Sequence, residues 1–161
     1  MNPELRLVPM ERHLAEQVCT WRYQGFLERY SMDHGDPGAL AAPGSGVFAL
    51  LDADAALVGF RSYGLDGQVP GLTYDEGSLD TGGGLRPDRV GTGLGKAAMR
   101  CGLDYAGAHL GAPVLRVSIW EGNGVALHVA RSVGYVECGR GVSDRGDTFV
   151  VFTQPSRAPV L

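Results

Sequence analysis

The segment Pro87-Asp88-Arg89-Val90-Gly91-Thr92-Gly93-Leu94-Gly95-Lys96 is where this sequence most plainly offers chemistry. Three alternating glycines run into a region of helical periodicity, so successive backbone N–H groups converge ahead of a helix N-terminus. Backed by the positive end of the helix dipole, such amides hold an anion without any charged side chain. Glycine is needed because a Cβ would stand between the backbone and a phosphate. A Walker A loop would require Gly where Val90 stands and Ser or Thr where Ala97 stands, so the magnesium-binding hydroxyl is missing. A dinucleotide fingerprint, Gly-x-Gly-x-x-Gly, fails at Lys96. A flexible linker does not explain Gly95, which falls inside the periodic helix.

The elements that must hold this loop follow from periodicity and punctuation. Residues 5–8 form a short apolar segment closed by Pro9, a first strand. Residues 11–30 are helix-forming, with Leu14, Val18 and Trp21 near helical spacing. Residues 33–46 hold Pro37, Pro43 and four glycines, and predict a loop. Residues 47–51 and 56–63 predict two strands joined as a hairpin through Asp52-Ala53-Asp54-Ala55. After a Gly- and Asp-rich loop, residues 79–86 predict an irregular strand, because Gly82-Gly83-Gly84 weakens pairing and marks a bulge or a close ligand approach.

Beyond the glycine loop, Leu94, Ala97, Ala98, Cys101, Tyr105 and Ala108 repeat with helical spacing until Gly111 and Pro113. Residues 114–120 alternate as a strand with Leu115, Val117 and Ile119 on one face. Asn123 caps a further helix whose apolar face is Ala126, Val129, Ala130 and Val133, closed by Gly134. Residues 135–138 and 148–153 predict the last strands. The order β-α-β-β-β-α-β-α-β-β describes an α/β (mixed) fold, one sheet with helices on its faces, in a single domain over residues 1–161.

Composition narrows the function. The 161 residues, 44% hydrophobic and 20% charged, match one ordinary globular domain. A formal net charge of −4 argues against general nucleic-acid binding and is compatible with a cationic acceptor. Without a long apolar span or a signal-like N-terminal run, no membrane partner or export is expected, and the expected location is cytoplasmic. Cys19, Cys101 and Cys138 share no metal-ligand spacing and are expected to be reduced packing residues, with no metal site. Thirteen arginines against one lysine, with abundant Ala, Gly and Val, hint at a GC-rich bacterial genome.

Val90-Gly91-Thr92-Gly93-Leu94-Gly95, followed by Asn123-Gly124-Val125-Ala126 and Gly134-Tyr135, resembles the GNAT superfamily of N-acetyltransferases. The superfamily's pyrophosphate loop is Gln/Arg-x-x-Gly-x-Gly/Ala. Its next motif is Asn-x-x-Ala, ending about eleven residues later in Gly-Phe or Gly-Tyr. Val90 departs from the Gln/Arg position, which loses one side-chain contact but leaves the backbone cradle; Arg89 and Lys96 are neighbouring sources of charge. The resemblance covers roughly residues 79–135. It implies a mainly antiparallel sheet of about six or seven strands, splayed in the middle. It also implies acetyl-CoA as cofactor, held by Val90, Gly91, Thr92, Gly93, Leu94, Gly95, Lys96 and Asn123, and a primary amine acceptor on a small molecule or a protein. A homodimer is compatible with it.

The resemblance further implies that Gly84 and Leu85 offer backbone N–H groups to the thioester, a small oxyanion hole. The tyrosine that protonates the leaving thiolate in many members is replaced by Ala130. A thiol of pKa about 8.5 leaves its thiolate only ~2 kcal/mol out of reach at pH 7, whereas an alkylamine of pKa ~10.4 is ~4.6 kcal/mol from its neutral form. Deprotonating the amine is the larger task. Asp80, on the strand leading to the oxyanion hole, is the candidate catalytic base, with Asn123 beside it in the expected catalytic set; Asp75 and Glu76 are alternatives. Asp80 equally fits a structural role beside the glycine run. His128 lies about 200° around the helix from Ala130 and is expected to face away. Trp21, Tyr23, Phe26 and Tyr30 divide between core and acceptor pocket. The alternative function is a catalytically silent acyl-CoA-binding or sensing module, which Ala130 favours.

Overall fold

Chain order in this computed structural model, which describes residues 3–74 and 76–156, alternates short strands with helices much as the punctuation predicts. The strands are β1 (Arg6–Pro9), β2 (Val47–Leu51), β3 (Leu57–Tyr63), β4 (Leu79–Leu85), β5 (Val114–Trp120), β6 (Val136–Val142) and β7 (Thr148–Pro155). The helices are α1 (Arg12–Val18), the single turn α2 (Pro37–Leu40), α3 (Leu94–Tyr105) and α4 (Gly124–Ser132). The strands form one seven-stranded sheet in the order β1-β2-β3-β4-β5-β7-β6. Every neighbouring pair is antiparallel except β4 and β5, which run parallel.

Period-two alternation gives the sheet two apolar faces, and each face is covered. Ala15, Val18 and Trp21 pack with Val47, Ala49, Leu51 and Leu57 on one face. On the other, Leu103 and Ala106 from the α3 side and Ala130 and Val133 from the α4 side enclose Leu115, Val117, Ile119, Val150 and Phe152. The start of α3 is seated separately, Leu94 and Ala98 packing on Leu50 and Val58 with Leu85 against them. That last cluster fixes the helix N-terminus relative to the end of β4.

The long helix expected over residues 11–30 is not formed. After Val18 the chain leaves α1 through a tight turn, Trp21 N–H bonding to Val18 O at 3.0 Å, and returns to helix-like geometry only as a 3-10 segment, Gly25–Tyr30. Burial decides this: Trp21 is carried into the core 6.2 Å from the Phe60 ring, while Phe26 and Tyr30 stay exposed. Side chains meet the carbonyls freed at the helix end, Thr20 Oγ1 donating to Gln17 O and Arg22 Nη1 to Cys19 O. Cys138, expected as a packing residue, is exposed.

Candidate active site

The glycine loop is pinned at both ends. Arg86 donates through Nη1 to Leu57 O at 2.8 Å and through Nε to Asp88 Oδ1 at 2.6 Å, anchoring the exit from β4. Thr92 Oγ1 donates to Arg89 O at 2.6 Å and closes the turn before α3. Between these anchors Gly91 and Gly93 have φ of 78° and 86°, the left-handed region that favours glycine. A Cβ at either would meet nothing within 4 Å, so packing does not demand glycine there. The amides of Gly91, Thr92 and Gly93 donate to no backbone or side-chain acceptor among the described residues. No acidic residue sits in the first turn of α3, and Lys96 is exposed on it. These features fit a phosphate. Gly95 lies within α3, where a Cβ would touch the Val129 side chain at 3.5 Å; its place is helix-to-helix packing as well as the first-turn amides.

Beside this cradle the sheet opens. β4 pairs with β5 only at Leu79↔Leu115, Asp80↔Arg116 and Thr81↔Val117, and from Gly82 to Leu85 only its β3 side stays paired. Arg86 N–H donates to Val58 O at 2.8 Å across to β3. Because peptide groups alternate sides along a strand, the Gly84 amide faces β3 as well, and those of Gly83 and Leu85 face the opening. Of the two residues expected to offer amides to a thioester, Leu85 has its amide on the opened side and Gly84 on the β3 side. Tyr23, whose backbone N–H bonds to Ser31 Oγ at 2.9 Å, donates its hydroxyl to the Leu85 carbonyl on that opened side. Burial pushes the Tyr23 phenol up to about 12, so it is a donor rather than a base.

Asp80 is not available in the way expected of a base. Its side chain is 4% exposed; Oδ1 accepts from Arg116 Nε at 2.7 Å, and Oδ2 accepts from Arg116 Nη2 at 3.0 Å and Gln68 Nε2 at 2.9 Å. The parallel register that sets Asp80 opposite Arg116 makes this bidentate pair. The carboxylate therefore ties β4 to β5 just before they part, and the structural alternative describes its geometry. Glu76 is exposed, and Asp75 lies outside the described residues. Asn123 is the N-cap of α4, its Oδ1 accepting from Ala126 N–H at 3.1 Å and its Nδ2 donating to Tyr30 Oη at 3.4 Å. That bond draws the 3-10 segment toward the end of β5, where Arg29 lies 4.0 Å from the Trp120 ring and pairs with Asp147 at 2.7 Å. His128 is exposed. Ala130 is completely buried, so no side chain of α4 stands in for the tyrosine at that position.

Two arginines inside strands escaped the sequence reading. Arg116 is the partner of Asp80, and Arg61, on β3, is 7% exposed with no carboxylate partner among the described residues. The visible signal was a charged residue in the middle of an apolar strand run, Leu57-Val58-Gly59-Phe60-Arg61-Ser62-Tyr63. A separate groove of about 570 Å³ lies between β1 and α3, lined by Leu5, Arg6, Arg100 and Tyr105 among others, and includes none of the cradle or β4 residues.

No protein-family model matches the chain, and no curated protein matches it in sequence. Solved structures do match along nearly its whole length. Aminoglycoside acetyltransferase AAC(6')-Ib in complex with coenzyme A superposes with a TM-score of 0.75 at 15% identity, covering 94% of this chain and 95% of that one. A GNAT-family acetyltransferase from Bacillus anthracis gives 0.74 at 13% identity, covering 97% of each. Dodecameric spermidine N-acetyltransferase from Vibrio cholerae gives 0.67 at 18% identity, covering 96% and 94%. With its seven-stranded sheet opened between β4 and β5 and a glycine cradle at the head of α3, this chain has the GNAT acetyltransferase fold.

Proposed function

We propose that this chain transfers an acetyl group from acetyl-CoA to an amine by direct attack on the thioester. One observation carries the reading: unpartnered amides and left-handed glycines form an anion cradle at the very end of the strand that parts from its neighbour. A cofactor with a pyrophosphate at one end and a reactive thioester at the other needs those two features adjacent. Gly91, Thr92, Gly93 and the first-turn amides of α3 would hold the pyrophosphate, with Lys96 and Arg89 beside it. The bound cofactor supplies an activated acyl carbon. The Gly83 and Leu85 amides face the side where negative charge would develop on the acyl oxygen. Tyr23 fixes the Leu85 carbonyl, and the 3-10 segment held by Asn123 and Arg29 walls the acceptor side. With Asp80 engaged by Arg116, the amine loses its proton to solvent in this reading.

The fold relatives act, by their names, on spermidine and aminoglycosides, which supports a small polyamine-like acceptor and agrees with the negative net charge of −4. A second reading, a catalytically silent acyl-CoA-binding module, is favoured by the completely buried Ala130 and the engaged Asp80. Thiol release from acetyl-CoA, followed across a panel of polyamines, aminoglycosides and simple alkylamines, separates the two. Release that depends on an amine supports transfer. CoA binding with only slow, amine-independent hydrolysis supports the silent module.

A further inference from the structure

Arg61 is a buried cation with no anion beside it among the described residues. Its side chain is 7% exposed, yet its one hydrogen bond is a long one, Nη2 to Thr81 Oγ1 at 3.4 Å, and Nε has no partner. Thr81 has already given its proton to Ser62 O at 2.9 Å, so it meets the guanidinium only through a lone pair. Charged side chains are rarely enclosed without a counter-charge, because desolvation disfavours them.

The position of the guanidinium is specific. Arg61 pairs with Gly83 across β3 and β4, and its side chain lies directly over that glycine. A Cβ on Gly83 would strike the Phe60 backbone carbonyl first and would stand 2.8 Å from Nη1 and 2.9 Å from Cδ. Gly102 on α3 presses from above, its would-be Cβ 3.1 Å from Nε. The guanidinium thus lies against two glycines, beside Thr81, the last residue of β4 that pairs with β5. Gly83 itself is exposed, so the opening reaches solvent at this point. The cradle stands at one end of this opening and Arg61 at the other. An arm held at the cradle and laid between β4 and β5 would run toward Thr81, beside which the Arg61 guanidinium lies.

We propose that Arg61 is the counter-charge that receives the coenzyme A sulfur as a thiolate, in place of the proton donor absent at Ala130. The inference rests on the acetyl-CoA reading. The amine lone pair forms the new C–N bond, and the C–S bond breaks with its electron pair staying on sulfur. The guanidinium pairs with that thiolate, the nitrogen's surplus proton passes to bulk water, and nothing is oxidised or reduced. A cation beside a sulfur favours its thiolate, so the leaving group needs no acid. The titratable groups packed near Arg61 are Tyr63 of β3, Cys101 of α3 and Tyr135 at the head of β6. Burial raises each of them, and none supplies a negative charge near neutral pH. Asp104, one helical turn along α3 from Cys101, is exposed and raises that thiol further.

The test is a pH titration of coenzyme A bound to the purified protein, read by thiolate ultraviolet absorbance and by affinity against desulfo-coenzyme A. In the parent, the bound thiol is expected to ionise at least one unit below the free value of about 8.5. Coenzyme A should accordingly gain affinity over its desulfo analogue as pH rises toward 8. Arg61→Met should abolish the shift and lower kcat by about 10²-fold, the scale of one lost charge-stabilising donor, with the acceptor KM little changed. Arg61→Lys should retain part of the shift, and it serves alone if the Met variant does not fold. Bound coenzyme A that ionises like the free thiol, or a shift that survives Arg61→Met, would overturn the assignment and leave the acetyl-transfer reading standing. Failure of the parent to bind coenzyme A at all would overturn both.

Discussion

Replacing Asp80 by Asn separates a structural carboxylate from a catalytic one. The ion pair with Arg116 is 4% and 5% exposed on its two sides, and its carboxylate accepts three hydrogen bonds. Breaking a buried pair by neutralising one partner costs about 3–5 kcal/mol, because the other charge is left enclosed. For a domain of this size each kcal/mol lowers Tm by about 2–4 °C, so Asp80→Asn should melt roughly 6–20 °C below the parent. Arg116→Met should lose a comparable amount. The double variant should be less damaged than the sum of the singles, by about 0.5–3 kcal/mol in a thermodynamic cycle. Coenzyme A binding should weaken, because the pair sits where β4 and β5 part, and raising the pH should not recover turnover. Thermal melts, coenzyme A affinity and a pH–rate profile on these variants decide the matter. An Asp80→Asn protein that melts with the parent, binds coenzyme A normally and regains lost turnover at high pH would refute the structural role and restore Asp80 as a base.

Gly93→Val forces a β-branched residue to a φ of 86° and places its Cβ in the open space before the amides; coenzyme A binding by calorimetry should fall at least tenfold while the protein still folds. Ala130→Tyr inserts a large ring at a fully buried position, and overpacking of this kind should cost about 1–3 kcal/mol in a denaturant melt rather than restore an acid. The Tyr23 and Tyr135 phenols are raised by burial to about 12. Their folded forms keep protons that the unfolded chain gives up near pH 10, so stability should decline as pH rises from about 10 to 12. Tyr23→Phe should flatten part of that decline in urea melts taken at each pH.

The cradle was legible because its chemistry lies in the backbone: glycine spacing, a helix start and an Asn cap are local features, and Gly91, Gly93 and Asn123 stand where spacing put them. The strands were legible from alternation and turn residues, with β2 and β5 matching residue for residue. The helix over residues 11–30 failed because local propensity there competes with the burial of Trp21 against Phe60, a contact across 39 positions that no window contains. The ion pair of Asp80 was hidden for the same reason. Its partner Arg116 lies 36 residues away and meets it only through the one parallel pairing of the sheet. Gly83 likewise meets Arg61 and the Phe60 carbonyl only once β3 and β4 are in register. Which way the Gly84 amide turns depends on its pairing with Phe60 on β3, which no local pattern records.

Acetyl transfer itself is tested most directly by incubating the purified chain with acetyl-CoA and the amine panel, counting released thiol and acetylated amine in the same reaction. Free thiol and N-acetylated product should appear in equal amounts, both dependent on the amine and both lost in Gly93→Val. Thiol release without acetylated amine, or none with any amine despite tight coenzyme A binding, would contradict the assignment as an acetyltransferase.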